Sequence, residues 1–383
     1  MRQLLVFLPV LISGCSGARA CRSFDGDPRG LDMVLEEINL QEGFTLSESL
    51  EVCASQRGDH PLNILVLSGG GQNGAFGAGF LEGWSHTGSR PVFDVVTGIS
   101  TGALMATQAF LGTPDDDAAL RETYTTVSKE DIISERSFLS VPFSNSLHTA
   151  GPLEELIAQH ITEEVIGRVS SAYDDGRRLF VGTVDLDAGT LQIWDLTLLA
   201  NKHGADGMER YRTILLAAAS APVIFPPVFL DERMHVDGGV REQVFLRQFM
   251  LKLCDTLTET RVQGPGQGPQ ATVYVIVNGK LGVEPVCVDD SLPGIALRSL
   301  SAVLDGGMVG NLFRVYAITQ KYGLDFRLES IPPGLDLGEH GDSFAFHRET
   351  MNLLYEEGQT RGKKQLWSEE PPTAEDIQPF VRQ

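Results

Sequence analysis

The run Gly98-Ile99-Ser100-Thr101-Gly102 sets a serine in a G-x-S-x-G frame. It follows an apolar segment, Val92–Thr97 (VFDVVT), that reads as a buried strand, and it precedes a helical stretch ending near Leu111. A serine hydroxyl attacks poorly until a turn exposes it and a base takes its proton. In this frame Gly98 and Gly102 permit a sharp strand-to-helix turn, and the serine stands exposed at the strand's end. The helix behind it adds a positive end near developing negative charge. The chemistry this prepares is acyl transfer through a serine ester.

A second constellation lies upstream. Gly69-Gly70-Gly71-Gln72-Asn73-Gly74 follows directly after Asn63–Ser68 (NILVLS), a nearly continuous apolar run typical of a strand buried on both faces. Adjacent glycines let backbone N–H groups turn toward one point, where an anion can approach. That anion is either the oxyanion of an acyl-transfer intermediate or the pyrophosphate of a nucleotide. Gly69, Gly71 and Gly74 satisfy G-x-G-x-x-G, but the acidic residue a dinucleotide site wants at the end of the next strand is missing. Asp94 is near the right distance and sits early in its strand.

The third is Asp237-Gly238-Gly239, after the short run Met234–Val236. Asp-Gly-Gly is an ordinary turn, and it gains meaning only from its company.

That company resembles the patatin-like phospholipases. A glycine-rich loop, a G-x-S-x-G about 30 residues later and a distant D-G-G stand in that family's order, with Ala219-Ser220-Ala221-Pro222 and Phe225-Pro226-Pro227 ahead of the aspartate. The resemblance spans roughly Leu62 to Val240. It implies an α/β fold, a patatin-like three-layer sandwich with a mainly parallel central sheet and helices on both faces. It implies Ser100 as nucleophile, Asp237 as the base of a Ser–Asp dyad, and Gly69, Gly70 and Gly71 as oxyanion-hole amides. The substrate class implied is a membrane lipid or other lipid ester, with no cofactor and no metal. One departure stands out. The family often carries Arg or Lys before the last glycine of the loop, and this chain has Asn73.

Two other readings fit parts of the sequence. An α/β-hydrolase would take its histidine late in the chain, from His340 or His347. A non-catalytic envelope lipoprotein could keep the fold and bind lipid without turnover.

The elements that must position these residues follow a strand–helix–strand–helix order with short links, which specifies a parallel α/β sheet. A helix is expected from about Gly74 to His86. Arg178–Asp185 and Thr190–Asp195 read as two strands joined by a turn at Asp187-Ala188-Gly189. An alanine-rich helix, Ile214–Ser220, must end at Pro222. Ala271–Val277 (ATVYVIV) is a further buried strand, and the patterns from Leu292 to Tyr322 and Phe344 to Leu366 are helical. Gln263–Gln270 (QGPGQGPQ) is a loop by composition. The expected division is residues 1–20 as targeting segment, 21–60 as linker, 61–282 as catalytic domain and 283–383 as a helical part of the same domain.

The N-terminal segment reads as an export signal. Arg2 precedes a short apolar core, Leu4–Ile12, too short to span a bilayer. Ile12-Ser13-Gly14-Cys15 resembles a bacterial lipobox, which makes Cys15 the lipidation site and the acyl chains a membrane anchor. Ala18-Arg19-Ala20 offers an alternative cleavage site that would release a soluble protein. Both readings place the protein outside the cytoplasm, at the cell-envelope membrane or soluble beyond it.

Composition bounds the remaining classes. In 383 residues, 51 acids oppose 30 bases, a formal charge of −21. Nucleic acid is excluded as a partner, because phosphate binding needs clustered Lys and Arg. Five cysteines (Cys15, Cys21, Cys53, Cys254 and Cys287) are too widely spaced for a zinc site.

Overall fold

The computed structural model describes residues 61–135, 145–146, 148–246, 271–282, 287–288 and 290–373, with two short paired strands at Asn39–Leu40 and Phe44–Thr45. The export signal with Cys15, the patch near Leu31–Ile38, Cys21, Cys53, Cys254 and the loop Gln263–Gln270 lie outside the described residues. Cys287 is exposed, with a free thiol.

The centre is an eight-stranded sheet: β1 Leu62–Leu67, β2 Val95–Ile99, β3 Arg178–Asp185, β4 Thr190–Asp195, β5 Val228–Leu230, β6 Arg233–Asp237, β7 Ala271–Val277 and β8 Asp325–Ser330. Strands β8, β7, β1, β2 and β3 are parallel neighbours in that order. β4, β6 and β5 add antiparallel pairings at the β3 end. The sheet is therefore mainly parallel, as the strand–helix alternation requires.

The unbroken apolar runs have a direct cause. In β1, Leu65 and Leu67 point into one core with Val96, Leu179 and Val181. Leu62, Ile64 and Val66 point into another with Val95, Ile99 and Phe180. A strand covered on both faces has no polar position to spend.

The helices are α1 Gly74–Ser85, α2 Thr101–Leu111, α3 Pro114–Thr125, α4 Gly151–His160, α5 Glu163–Asp174, α6 Leu196–His203, α7 Met208–Ala219, α8 Leu292–Tyr322 and α9 Arg348–Lys364. Side chains of α1, α2, α7 and α9 fill the first core, while Met308, Leu312 and Val315 of α8 fill the second. The helices thus cover both faces of the sheet.

Two sequence expectations shift. The second strand begins at Val95 and not at Val92, which is exposed, and it runs on to Ile99, directly before the serine. β8 was not legible as a strand. Its sequence, DFRLES, buries Phe326 and Leu328 in alternation with the half-exposed Asp325 and Arg327, and also buries Glu329, which pairs with Arg361. Its charged residues hide the alternation.

Helices α1 and α9 pack with their backbones in near contact. A Cβ added at Gly79 or Gly83 would collide with the carbonyl of Tyr355 or Gln359, and one at Gly358 or Gly362 with that of Phe76 or Phe80. Only glycines on both helices allow so close an approach. The C-terminal helix is thereby fixed to the helix that begins at the glycine loop.

Candidate active site

Strand β3 carries two different partners along one edge. β2 pairs with Arg178 through Gly182, ending at Ile99 opposite Gly182. β6 then takes over, with Asp237 opposite Thr183, Val236 opposite Val184 and His235 opposite Asp185. β4 occupies the other edge, opposite Gly182 and Thr183 as well. Because β2 is parallel to β3 and β6 antiparallel, the two strands advance toward each other and leave the sheet at adjacent points. Ser100 follows one terminus, and Asp237 is the other.

The Ser100 side chain lies beside the Asp237 carboxylate and favours its ionised form. The Gly239 amide donates to Asp237 Oδ1 at 2.7 Å, and the Asp237 amide donates to the Ser220 carbonyl at 2.9 Å. Burial pushes the Asp237 carboxyl up to about 6, and Ser100 and the Gly239 amide pull it partly back. Ser100 has φ 55° and ψ −127°, a backbone state that a residue with a side chain adopts only under constraint, at about 1–3 kcal/mol. The constraint is visible on both sides. Added Cβ atoms at Gly98, Gly102 and Gly238 would lie 2.5 Å from the carbonyls of Gly102, Leu67 and Gly182. A Cβ added at Gly74 would lie 2.4 Å from Thr101 Oγ1 and 2.6 Å from the Tyr124 ring, whose hydroxyl bonds Thr101 Oγ1 at 2.6 Å.

The glycine loop approaches from β1. Gly70 (φ 152°) and Gly71 (φ 54°) take conformations that L side chains rarely adopt, and Cβ atoms there would collide with the carbonyls of Asn278 and Ser343. The Gly69 amide donates to the Gln243 carbonyl at 3.3 Å. Among the described residues no acceptor meets the amides of Gly70 and Gly71. Asn73, where the family often has a cation, is buried, donates to Ser343 Oγ at 3.2 Å and leaves Oδ1 without a partner.

An apolar cavity opens beside Ser100, with about 550 Å³ of empty space including its mouth. Leu104, Val127, Leu153, Leu156, Phe225 and Met351 line it, together with Phe344 and Phe346. Sequence reasoning assigned nothing to Gln72, Phe344 or Phe346. A bulky amide inside a glycine run and an isolated Phe-Ala-Phe in a polar stretch were the available signals. His340 and His347 stack on each other at 3.9 Å between ring centroids. Among the described residues, the Asp237 carboxylate accepts from the Gly239 amide and lies beside Ser100; no histidine donates to it. Asp94, the acid of the dinucleotide reading, accepts from the Asn63 amide at 2.7 Å, at the end of the sheet opposite the glycine loop.

A mixed α/β sheet flanked by helices, with a glycine loop and a strand-to-helix serine at its edge, is the frame of the lipid acyl hydrolases of the patatin type. Residues 65–250 match the family described as Patatin-like phospholipase. Among solved structures it is similar to VipD from Legionella pneumophila, at 9% identity and a TM-score of 0.39, over 79% of this chain and 68% of that one. No curated protein matches the chain.

Proposed function

We propose that this chain hydrolyses carboxylic esters of lipids, as a phospholipase A or lysophospholipase, with Ser100 as nucleophile and Asp237 as general base. The observation that carries this reading is the placement of the strained Ser100, directly after the end of one strand, beside the buried Asp237 carboxylate that ends the next. Ser100 Oγ attacks the ester carbonyl, and its proton passes to Asp237. The amides of Gly70 and Gly71 face the developing oxyanion; Gly69 serves by holding the loop through Gln243. Collapse of the tetrahedral intermediate expels the alcohol, which takes the proton from Asp237 and leaves an acyl-serine. Water then attacks the acyl carbonyl, Asp237 accepts its proton, and the fatty acid departs as Ser100 recovers a proton.

Two environmental features suit the roles. A carboxylate in water is too weak a base, and burial raises Asp237 toward the operating range. The apolar cavity next to Ser100 offers a dry site for an acyl chain. Asn73 supplies no positive charge to an anionic head group, which favours zwitterionic or neutral esters.

The test is fatty-acid release from mixed phospholipid and short-chain ester substrates by the purified protein, Ser100→Ala and Asp237→Ala. Loss of turnover in both folded variants supports the dyad. A wild type silent on every ester, yet binding lipid, would favour a non-catalytic lipid-binding protein. Replacing His340 and His347 with Ala should leave turnover in place, since neither is a proton acceptor in this scheme.

Anchoring at the cell-envelope membrane through lipidated Cys15 completes the reading, supported by the lipobox-like Ile12–Cys15 run. Radiolabelled fatty acid should enter the protein, and Cys15→Ala should abolish that incorporation.

A further inference from the structure

Gln72 has no exposed surface, and its amide and both polar ends of its side chain are bonded to one segment. Nε2 donates to the His340 carbonyl at 2.7 Å and to the Asp342 carbonyl at 2.6 Å. Oε1 accepts from the His347 amide at 2.8 Å, and the Gln72 amide donates to the Ser343 carbonyl at 2.8 Å. Asn73 adds a bond to Ser343 Oγ. Two neighbouring residues of the glycine loop therefore clasp residues 340–347, the connection between β8 and α9.

The clasped segment forms part of the cavity beside Ser100. Phe344 and Phe346 are on its wall with Ser100 and Gly71. Phe346 is buried and has φ 46°, a left-handed conformation costly for an aromatic residue. The next amide, that of His347, is the one Gln72 Oε1 holds. A strained residue persists where its surroundings over-determine it, and here the over-determining contact comes from the glycine loop.

We infer that Gln72 is a positioning residue: it holds the Phe344–Phe346 wall against the acyl cavity and thereby sets the acyl-chain length the enzyme prefers. This rests on the serine-hydrolase reading above. Residues 340–347 lie outside the stretch that matches the family, so the wall is a property of this chain's own C-terminal part. Selectivity in an apolar pocket changes about tenfold or more per methylene accommodated or refused, so a displaced wall alters selectivity more than it alters chemistry.

The experiment measures kcat/KM for p-nitrophenyl butyrate, octanoate and palmitate with the full chain, Gln72→Leu and Phe346→Gly. Gln72→Leu keeps the side-chain bulk and removes the three hydrogen bonds that the Gln72 side chain makes to the segment. Phe346→Gly removes the ring and relieves the left-handed strain, so it should fold even where the first variant does not. The expected result is a palmitate-to-butyrate ratio raised roughly tenfold in both. The ratio is the readout because a uniform loss of folded enzyme cannot move it. Ratios within about twofold of wild type in the folded variants overturn the inference while leaving the hydrolase reading intact. If Gln72→Leu does not fold, Phe346→Gly decides alone in the same way. A wild type inactive on all three esters overturns both the hydrolase reading and this one.

Discussion

Ile99 and Asp237 lie opposite consecutive residues, Gly182 and Thr183, on one edge of β3. One ends a parallel strand and the other an antiparallel strand, so both chains must turn out of the sheet at the same place. The residue after Ile99 is Ser100. Ser100 and Asp237 thus meet because two strands share an edge without overlapping, and neither needs a long loop to reach the other.

The backbone strain at Ser100 makes a stability prediction separable from catalysis. Both Ser100→Ala and Ser100→Gly should lose turnover. Ser100→Gly should be more stable than Ser100→Ala by about 1 kcal/mol, since glycine accepts φ 55° without a Cβ penalty. Calorimetric melting of the two variants checks this, and equal midpoints would refute the strain.

Asp237 predicts a pH profile with a definite sign. It must be ionised to accept a proton, so kcat/KM should fall as pH drops through about 6. Its folded-state value is raised above 3.8, so the folded protein holds an extra proton between about 4 and 6. The stabilisation that proton brings is present at the acidic end and is lost as pH rises through about 6. Asp237→Asn mimics the protonated form and can still accept from Gly239. It should be inactive yet more stable than wild type at pH 7 by roughly 3 kcal/mol, a gain that shrinks toward pH 4 in denaturant titrations.

Gly71→Ala tests the glycine loop. A methyl group there meets both an unfavourable φ and the Ser343 carbonyl. A fall in kcat of about a hundredfold, with KM changed much less, is expected if the displaced amide serves the oxyanion. A rise in KM alone would assign the loop to substrate binding.

Gly358→Ala should force α9 away from Phe76 in α1, costing about 1–3 kcal/mol of stability in urea unfolding. Because α1 starts at the glycine loop, turnover per folded molecule should fall as well. Unchanged turnover would show that the loop holds its shape without the C-terminal helix.

Much of the frame was legible because local patterns carry it. The hairpin strands Arg178–Asp185 and Thr190–Asp195, the strand Ala271–Val277 and the helix Leu292–Tyr322 fall where their apolar runs and turn residues place them. The edge strand β8 was hidden, since half-exposed positions there accept charged side chains. The clasp made by Gln72 was hidden for another reason. Its partners are backbone groups of residues 340–347, and a carbonyl or amide leaves no mark in side-chain sequence.

By itself the sequence determined which residues have the turn chemistry for acyl transfer: a serine between glycines after a buried strand, a run of glycines after another, and an aspartate opening a turn. Those are local dihedral and burial preferences, and each is written within a few residues. Only the tertiary structure decided that Ile99, the residue before Ser100, and Asp237 share one strand edge, that burial lifts the aspartate to about 6, and that a C-terminal segment walls the cavity. These depend on register between segments far apart in the chain, where closing a long loop costs little more than closing a short one, so sequence spacing does not determine the partner.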